Sequence, residues 1–381
     1  MEKVAIVGMA QTRFEQRKID AGYPDLVYEV SRQVMDKIGM RIEELDQTIT
    51  ASQDFWDGRT ISNFAVSEAC GSFLKPESKV AMDGIMAAFY AMIRIMSGQY
   101  SNCLVVAHCK MSEGPQNLIY NAVFDPIYQR HLGIDGVSSS ALQARAYMNR
   151  YGISQEQCAL AAVKSKQNAL LNPYAMDGRR IAVEDVLKSE ILAEPIHKLE
   201  AIPVSDGACA IMLANEHTAR KYCEKPVWIA GVGSFMDAYY LGERDLTDPV
   251  SLVRSAKKAY EMAGISDPRR EIDVVELSEY YSYQELLWSE ALGLCERGQG
   301  GRLVESGATQ VQGPIPVNPS GGVLAGNPFT VAGLVRVAEA YLQLRGQAGE
   351  HQVEGAKTAL AHGTTGPCGQ QHCVMILKSS L

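Results

Sequence analysis

Lys3–Phe14 reads KVAIVGMAQTRF, and Pro226–Phe235 repeats its design as PVWIAGVGSF. Each is a short apolar run ending at glycine ahead of a loop, Gly8 in the first and Gly231 and Gly233 in the second. The segments after the two runs also match. DLVYEVSRQVMDKIGM (Asp25–Met40) leads into RIEELDQTI, and SLVRSAKKAYEMAGI (Ser251–Ile265) leads, after a short turn, into EIDVVEL. Both longer segments place apolar residues at helical spacing and carry a glycine near the end, Gly39 or Gly264, where a left-handed C-cap needs one. Each then passes through an acidic turn into a strand.

The correspondence continues. MDGIMAAFYAMIRIMSGQYSNCLVVAH (Met82–His108) predicts a helix and then a strand ending in Ala107-His108. FTVAGLVRVAEAYLQLRG (Phe329–Gly346), followed by TALAH, predicts the same pair ending in Ala361-His362. Order, spacing and the shared Ala-His ending favour duplication over chance likeness. Two β-α-β-α-β units predict an α/β fold of two stacked mixed sheets with helices between and around them, an α-β-α-β-α sandwich. The halves occupy residues 1–112 and 220–381. Residues 113–219 form an inserted loop domain whose helices, SSSALQARAYMNRYG and SQEQCALAAVKSKQNALL, precede a return strand in PVSDGACAIMLA.

Composition narrows the function classes. The chain has 381 residues, a net charge of −8 and no basic stripe, so nucleic acid is not an expected partner. Apolar runs are broken well short of the roughly 20 residues a membrane span needs. The N-terminus runs straight into a strand, so no leader is expected, and a cytoplasmic location is the corresponding expectation. Nine cysteines lie scattered in apolar segments, as in a reducing compartment. None has zinc-site spacing, so no metal is expected. GVGSF lacks the third glycine and later acidic residue of a dinucleotide fingerprint, so a nicotinamide cofactor is not supported.

Several stretches resemble the thiolase superfamily. GISQEQCALAAVKSKQNAL resembles its loop-domain helix and SDGACAIMLANE the strand after that domain. PVNPSGGVLAGNPFTVAG resembles the N-x-x-G-G turn and next helix, and VVAHCKMSEG the GGxExMS strand end. ELSEYYSYQELL is similar to the sterol-carrier-protein-x branch. The resemblance implies the thiolase fold and an acyl-CoA substrate, with coenzyme A as cosubstrate and no covalently bound cofactor. It also implies a homodimer through the core and a small zinc-ribbon/OB-fold partner subunit, together a heterotetramer.

It also marks what differs. The thiolase nucleophile is a cysteine at a helix N-terminus, where amides and dipole favour the thiolate. Counting back along the helix puts Ala81 there. The family's G-H-P turn reads Gly326-Asn327-Pro328, and its oxyanion-hole Asn or His corresponds to Ser278, followed by Glu279. The loop of the second cysteine reads AHGTTGPCGQQHC, where His362, Thr365 or Cys368 stands nearest. Ala81 excludes the ordinary cysteine acyl-enzyme at that position.

The candidate catalytic residues are therefore Tyr280, His362, Asn327, Glu279, Cys368 and Asp83. Asp83 reads either as the cap of the helix beginning at Gly84 or as a general base. Tyr280 replaces a small family residue and is expected to face substrate, whereas Tyr281 replaces a phenylalanine and reads equally as packing. Asn327 offers an amide to an oxyanion or makes a turn. Cys368 is expected to be open to loop chemistry, and His108 to be structural. Ala81, Gly84, Ser278, Tyr281, Gly321 and Gly322 complete the set as substrate-binding positions. The expected reaction is thiolysis or acyl transfer on a bulky 3-oxoacyl-CoA, aromatic or steroid-derived. The alternatives are retro-aldol cleavage of a 3-hydroxyacyl-CoA, as in steroid side-chain aldolases, and a catalytically silent acyl-CoA-binding scaffold.

Overall fold

The computed structural model describes residues 2–381. Along the chain the strands are β1 Val4–Gln11, β2 Thr48–Ala51, β3 Glu77–Val80, β4 Asn102–Lys110, β5 Ile191–Ala193 and β6 Ile196–His197. They continue as β7 Asp206–Asn215, β8 Val227–Met236, β9 Val274–Glu276, β10 Thr358–Thr365 and β11 Gln371–Lys378. Apart from the small β5–β6 ribbon, they form one sheet of order β3-β2-β4-β7-β1-β8-β11-β10-β9.

The duplication is visible in this order. In the first half β2 lies parallel between β3 and β4, and β4, β7 and β1 continue antiparallel. In the second, β9 is parallel to β10, then β11 and β8 continue antiparallel, and a parallel bridge from Val275 to Val317 stands where β3 stands in the first half. One feature differs from two separate stacked sheets. The β1 and β8 edges join through Ala5–Trp228 and Ile6–Val227. Each strand would otherwise expose an unpaired edge, and pairing removes both.

Strand alternation sorts the layers. Ala5 and Val7 face the helix Tyr23–Ile38, with Leu104, Val106 and Met212 beside them. Val4 and Ile6 face inward, sharing a cluster with Val105 and Ile211 of the first half and Ala359, Ala361 and Met375 of the second. Between them lie the helices Gly84–Met96 and Ala332–Arg345. The helix Val250–Ala263 covers the outer face of the second half, with Leu360, Val374 and Ile376. Five layers result, as the duplicated pattern predicts.

Local chemistry sets the boundaries. Gly39 and Gly264 end their helices in the left-handed conformation, at φ +67° and +70°. Gly231 and Gly233 serve a different need: a Cβ at either would collide with a backbone carbonyl, of Ala259 or Ser255, because the covering helix lies directly on β8. The helix Ala332–Arg345 is buried almost all round and so holds its charges in pairs. Arg336 donates to Glu276 at 2.5 Å, and Glu339 accepts from Gln11 at 2.7 Å and sits 3.0 Å from His351. No helix among the described residues is long and apolar enough to cross a membrane.

Candidate active site

The two central helices begin side by side. Gly84 N–H donates to Thr330 O at 2.8 Å, joining the turn before one helix to the turn before the other. In front of these N-termini lies a cavity of about 250 Å³. Its wall takes Ala81, Met82 and Asp83 from the first turn, Phe329 and Thr330 from the second, and Tyr280 from the segment after β9. Thr365, Gly366, Gln370 and Gln371 come from the facing ends of β10 and β11 and the turn between them, and Gln53, Trp56, Ile119, Tyr120 and Val123 complete the wall. No cysteine lines it.

Asp83 is the acidic group of this cavity. Its carboxylate caps both helices, accepting from Ile85 N–H at 2.9 Å and Gly333 N–H at 2.8 Å. Gly333 is required here because a Cβ would collide with that carboxylate. Burial raises the acid to about 7, with the two amides and the more distant Arg336 pulling the other way. Asp83 is thus a helix cap, as one sequence reading expects, and its acid is poised near neutral pH.

Tyr280 packs edge-on against Phe329, ring centres 5.0 Å apart, and its hydroxyl donates to Thr364 O at 3.0 Å. Burial, then the Asp83 charge, raise this phenol well above its ordinary value. Ala81, Asp83 and Tyr280 therefore meet at one cavity, while Gly84 begins the helix behind it.

The other expected residues lie behind the wall. Glu279 accepts from Asn318 Nδ2 at 2.6 Å and Val323 N–H at 3.0 Å, and burial lifts it to about 8. It holds the turn of Gly321 and Gly322; a Cβ on Gly322 would collide with its Oε1, and one on Gly321 would press on Ala169 and Ala325. Asn327 Oδ1 accepts a hydrogen bond from Arg336, so its amide oxygen is engaged in the buried charge network. Tyr281 is buried, stacked near Tyr283.

His362 is placed by strand parity. Leu360, two residues earlier on β10, faces the outer helix layer, and His362 points to that same side. There it lies beside Trp288, with Nε2 2.9 Å from His372 Nδ1. Burial lowers His362 to about 3, so the imidazole is neutral. Ser278 donates from Oγ to His362 O at 3.0 Å and from its N–H to His362 Nδ1 at 3.3 Å. Cys368, expected to be open, is buried instead. Its thiol donates to Ser139 O at 3.2 Å on the helix Gly136–Tyr151, and burial raises it to about 11. His108 is structural, stacked on Tyr23 and 3.3 Å from Asp57 Oδ2.

Trp56, Tyr120, Phe329 and Thr330 escape the sequence reading. Phe329 and Thr330 lie within the quoted glycine-rich motif PVNPSGGVLAGNPFTVAG, a signal that could have found them. Trp56 and Tyr120 stand in short segments without a sustained period, and only the fold brings them over the cavity.

The family models now bear on this geometry. The thiolase N-terminal domain matches residues 4–217, and the thiolase C-terminal domain-like model matches residues 233–379. The chain belongs to the thiolase family. It is 32% identical over 379 residues to the acetyl-CoA acetyltransferase of Methanothermobacter thermautotrophicus, covering 97% of this chain and 98% of that one. It is 30% identical over 385 residues to human sterol carrier protein 2, covering 95% of this chain and 70% of that one. Among solved structures, an Ltp2-ChsH2(DUF35) aldolase superposes with a TM-score of 0.83 at 22% identity, over 99% of this chain and 97% of its own. This thiolase-family protein is of the sterol-carrier-protein type. It is an enzyme of the acyltransferase kind with coenzyme A as its cosubstrate.

Proposed function

We propose that this thiolase-family enzyme makes or breaks the bond between C2 and C3 of a bulky 3-oxoacyl-CoA without a cysteine acyl-enzyme. The observation that carries the reading is Asp83, an acid raised to about 7, on a cavity wall with Tyr280 and Ala81 and no thiol. In the thiolytic direction the thiol of free CoA adds to the 3-oxo carbon and its proton passes to Asp83. The C2–C3 bond then breaks, its electron pair going to C2 as the thioester enolate. Asp83 returns the proton to C2, leaving acetyl-CoA and the shortened acyl-CoA. The phenol of Tyr280 is the group we assign to the oxyanion. Ser278, Glu279, Asn327, Gly321, Gly322 and His362 then act as the support that fixes the wall, and Cys368 packs beneath it.

A cavity without a thiol also suits a second reaction. In retro-aldol cleavage of a 3-hydroxyacyl-CoA, Asp83 takes the hydroxyl proton, C2–C3 breaks to release an aldehyde or ketone, and the same proton returns to C2. Incubation with 3-oxoacyl-CoA and 3-hydroxyacyl-CoA, with and without free CoA, separates the two. Two thioesters formed only with CoA support thiolysis; a free carbonyl product supports the lyase. Stoichiometric binding with no turnover of either leaves a silent scaffold and overturns both.

We further propose a homodimer through β3, which ends the sheet with an open outer side. The small zinc-ribbon/OB-fold subunit is proposed to sit on the insertion, where Leu118, Ile127, Tyr128 and Leu132 are exposed. The Ltp2-ChsH2(DUF35) aldolase, a complex of two named components, is in keeping with a partner subunit. The division into 1–112, 113–219 and 220–381 is retained as our domain assignment, and a cytoplasmic location as our expectation.

A further inference from the structure

We propose that the acyl end of this cavity is shaped to hold a single aryl ring; the inference rests on the acyl-CoA reading above and names its substrate class. Four aromatic side chains from four separate segments meet there. Phe329 is their centre, with ring centres 4.8 Å from Tyr120, 5.0 Å from Tyr280 and 5.6 Å from Trp56. Trp56 and Tyr120 close the set at 6.4 Å with planes 65° apart. The planes at Phe329 cross at 57°, 74° and 33°, so the rings meet edge-on and tilted, the arrangement aromatic groups prefer. All four residues line the cavity, with Met82, Ile119 and Val123 filling apolar positions between them and Ala81 leaving room at the turn.

Volume separates the ring systems. A cavity of about 150 Å³ accommodates benzene, so about 250 Å³ accommodates one ring together with the short 3-oxo chain that carries it. A fused four-ring nucleus requires several times the space of one ring and would have to remain outside. A straight alkyl chain fits but forgoes the ring–ring contacts. Those contacts, at their usual strength and with two rings engaged, favour the aryl substrate about tenfold over an alkyl chain of similar size.

The test is calorimetric binding, with turnover as a second readout, using the full chain. The probes are 3-oxo-3-phenylpropanoyl-CoA, 3-oxononanoyl-CoA, whose hexyl chain matches phenyl in carbon number, a steroid-carrying 3-oxoacyl-CoA and free CoA. The expected result is aryl binding about tenfold tighter than alkyl, a ratio that falls to near one in Phe329→Leu and in Tyr120→Leu but survives Tyr120→Phe. If Phe329→Leu fails to fold, the two Tyr120 variants decide. Equal or tighter binding of the alkyl thioester, or of the steroid thioester, overturns the aryl assignment while leaving the acyl-CoA reading intact. Thioesters that bind no better than free CoA overturn the acyl-CoA reading itself, and the aryl assignment with it.

Discussion

Asp83 accepts a hydrogen bond from Gly333 N–H at 2.8 Å across 250 residues of sequence. One carboxylate therefore serves the first turns of two central helices, one from each half, while burial keeps its affinity for a proton high.

The pH dependence of Asp83 has a definite sign. The folded acid titrates near 7 and the unfolded one near the ordinary aspartate value, so the folded state holds the proton more tightly. Its contribution to stability is fully present below the unfolded value and is lost as pH rises toward 7. Asp83→Asn removes that dependence. The difference in Tm between parent and variant, measured from about pH 4 to 8, should shrink in favour of the variant as pH rises. Turnover of the parent should rise with an apparent pKa near 7 and be about 10²-fold or more lower in the variant. A flat Tm difference would show that the acid is not tuned.

Gly333→Ala places a methyl group against the Asp83 carboxylate. The clash should cost about 1–3 kcal/mol in chemical denaturation and displace the acid, lowering turnover together with stability. Wild-type stability in this variant would contradict the close approach.

Tyr280→Phe deletes a hydroxyl whose partner in the resting site is Thr364 O. The loss of one such bond costs about 1 kcal/mol, so the fold should persist. The rate of the chemical step should fall at least tenfold, read as a change in kcat rather than KM. An unchanged kcat removes Tyr280 from the chemistry.

Ala81→Cys restores a thiol at the turn ahead of the helix Gly84–Met96. Eight of the native cysteines are buried and the ninth is half-buried, whereas Ala81 is exposed and lines the cavity. The introduced thiol should therefore be the first alkylated by iodoacetamide, as peptide mass spectrometry would resolve. Labelling no faster than Cys295 would show that the turn does not present its residue to the cavity.

The duplication, the helix caps at Gly39 and Gly264 and the Asp83 turn were legible because each rests on local pattern: period, glycine punctuation, or an acid before a helix. The joining of β1 to β8 was not, since edge pairing between distant strands leaves no local mark. His362 and Cys368 show a second limit. Chain position put both near the C-terminal loop, but strand parity turned His362 to the outer layer and the helix Gly136–Tyr151 covered Cys368. Trp56 and Tyr120 show a third, because they stand in separate short helices, and a wall built from such pieces has no signature in any one of them.

The bond from Asp83 to Gly333 also fixes when the site comes into being. On the ribosome Asp83 emerges early, as an ordinary exposed acid, and the burial that raises its titration toward neutrality is incomplete until the second half packs against it. That packing brings in Gly333, 250 residues later in the chain, and is therefore a long-range closure of the kind that forms slowly. A nascent or truncated chain therefore carries this aspartate in a harmless form, and completion of the polypeptide is what arms it.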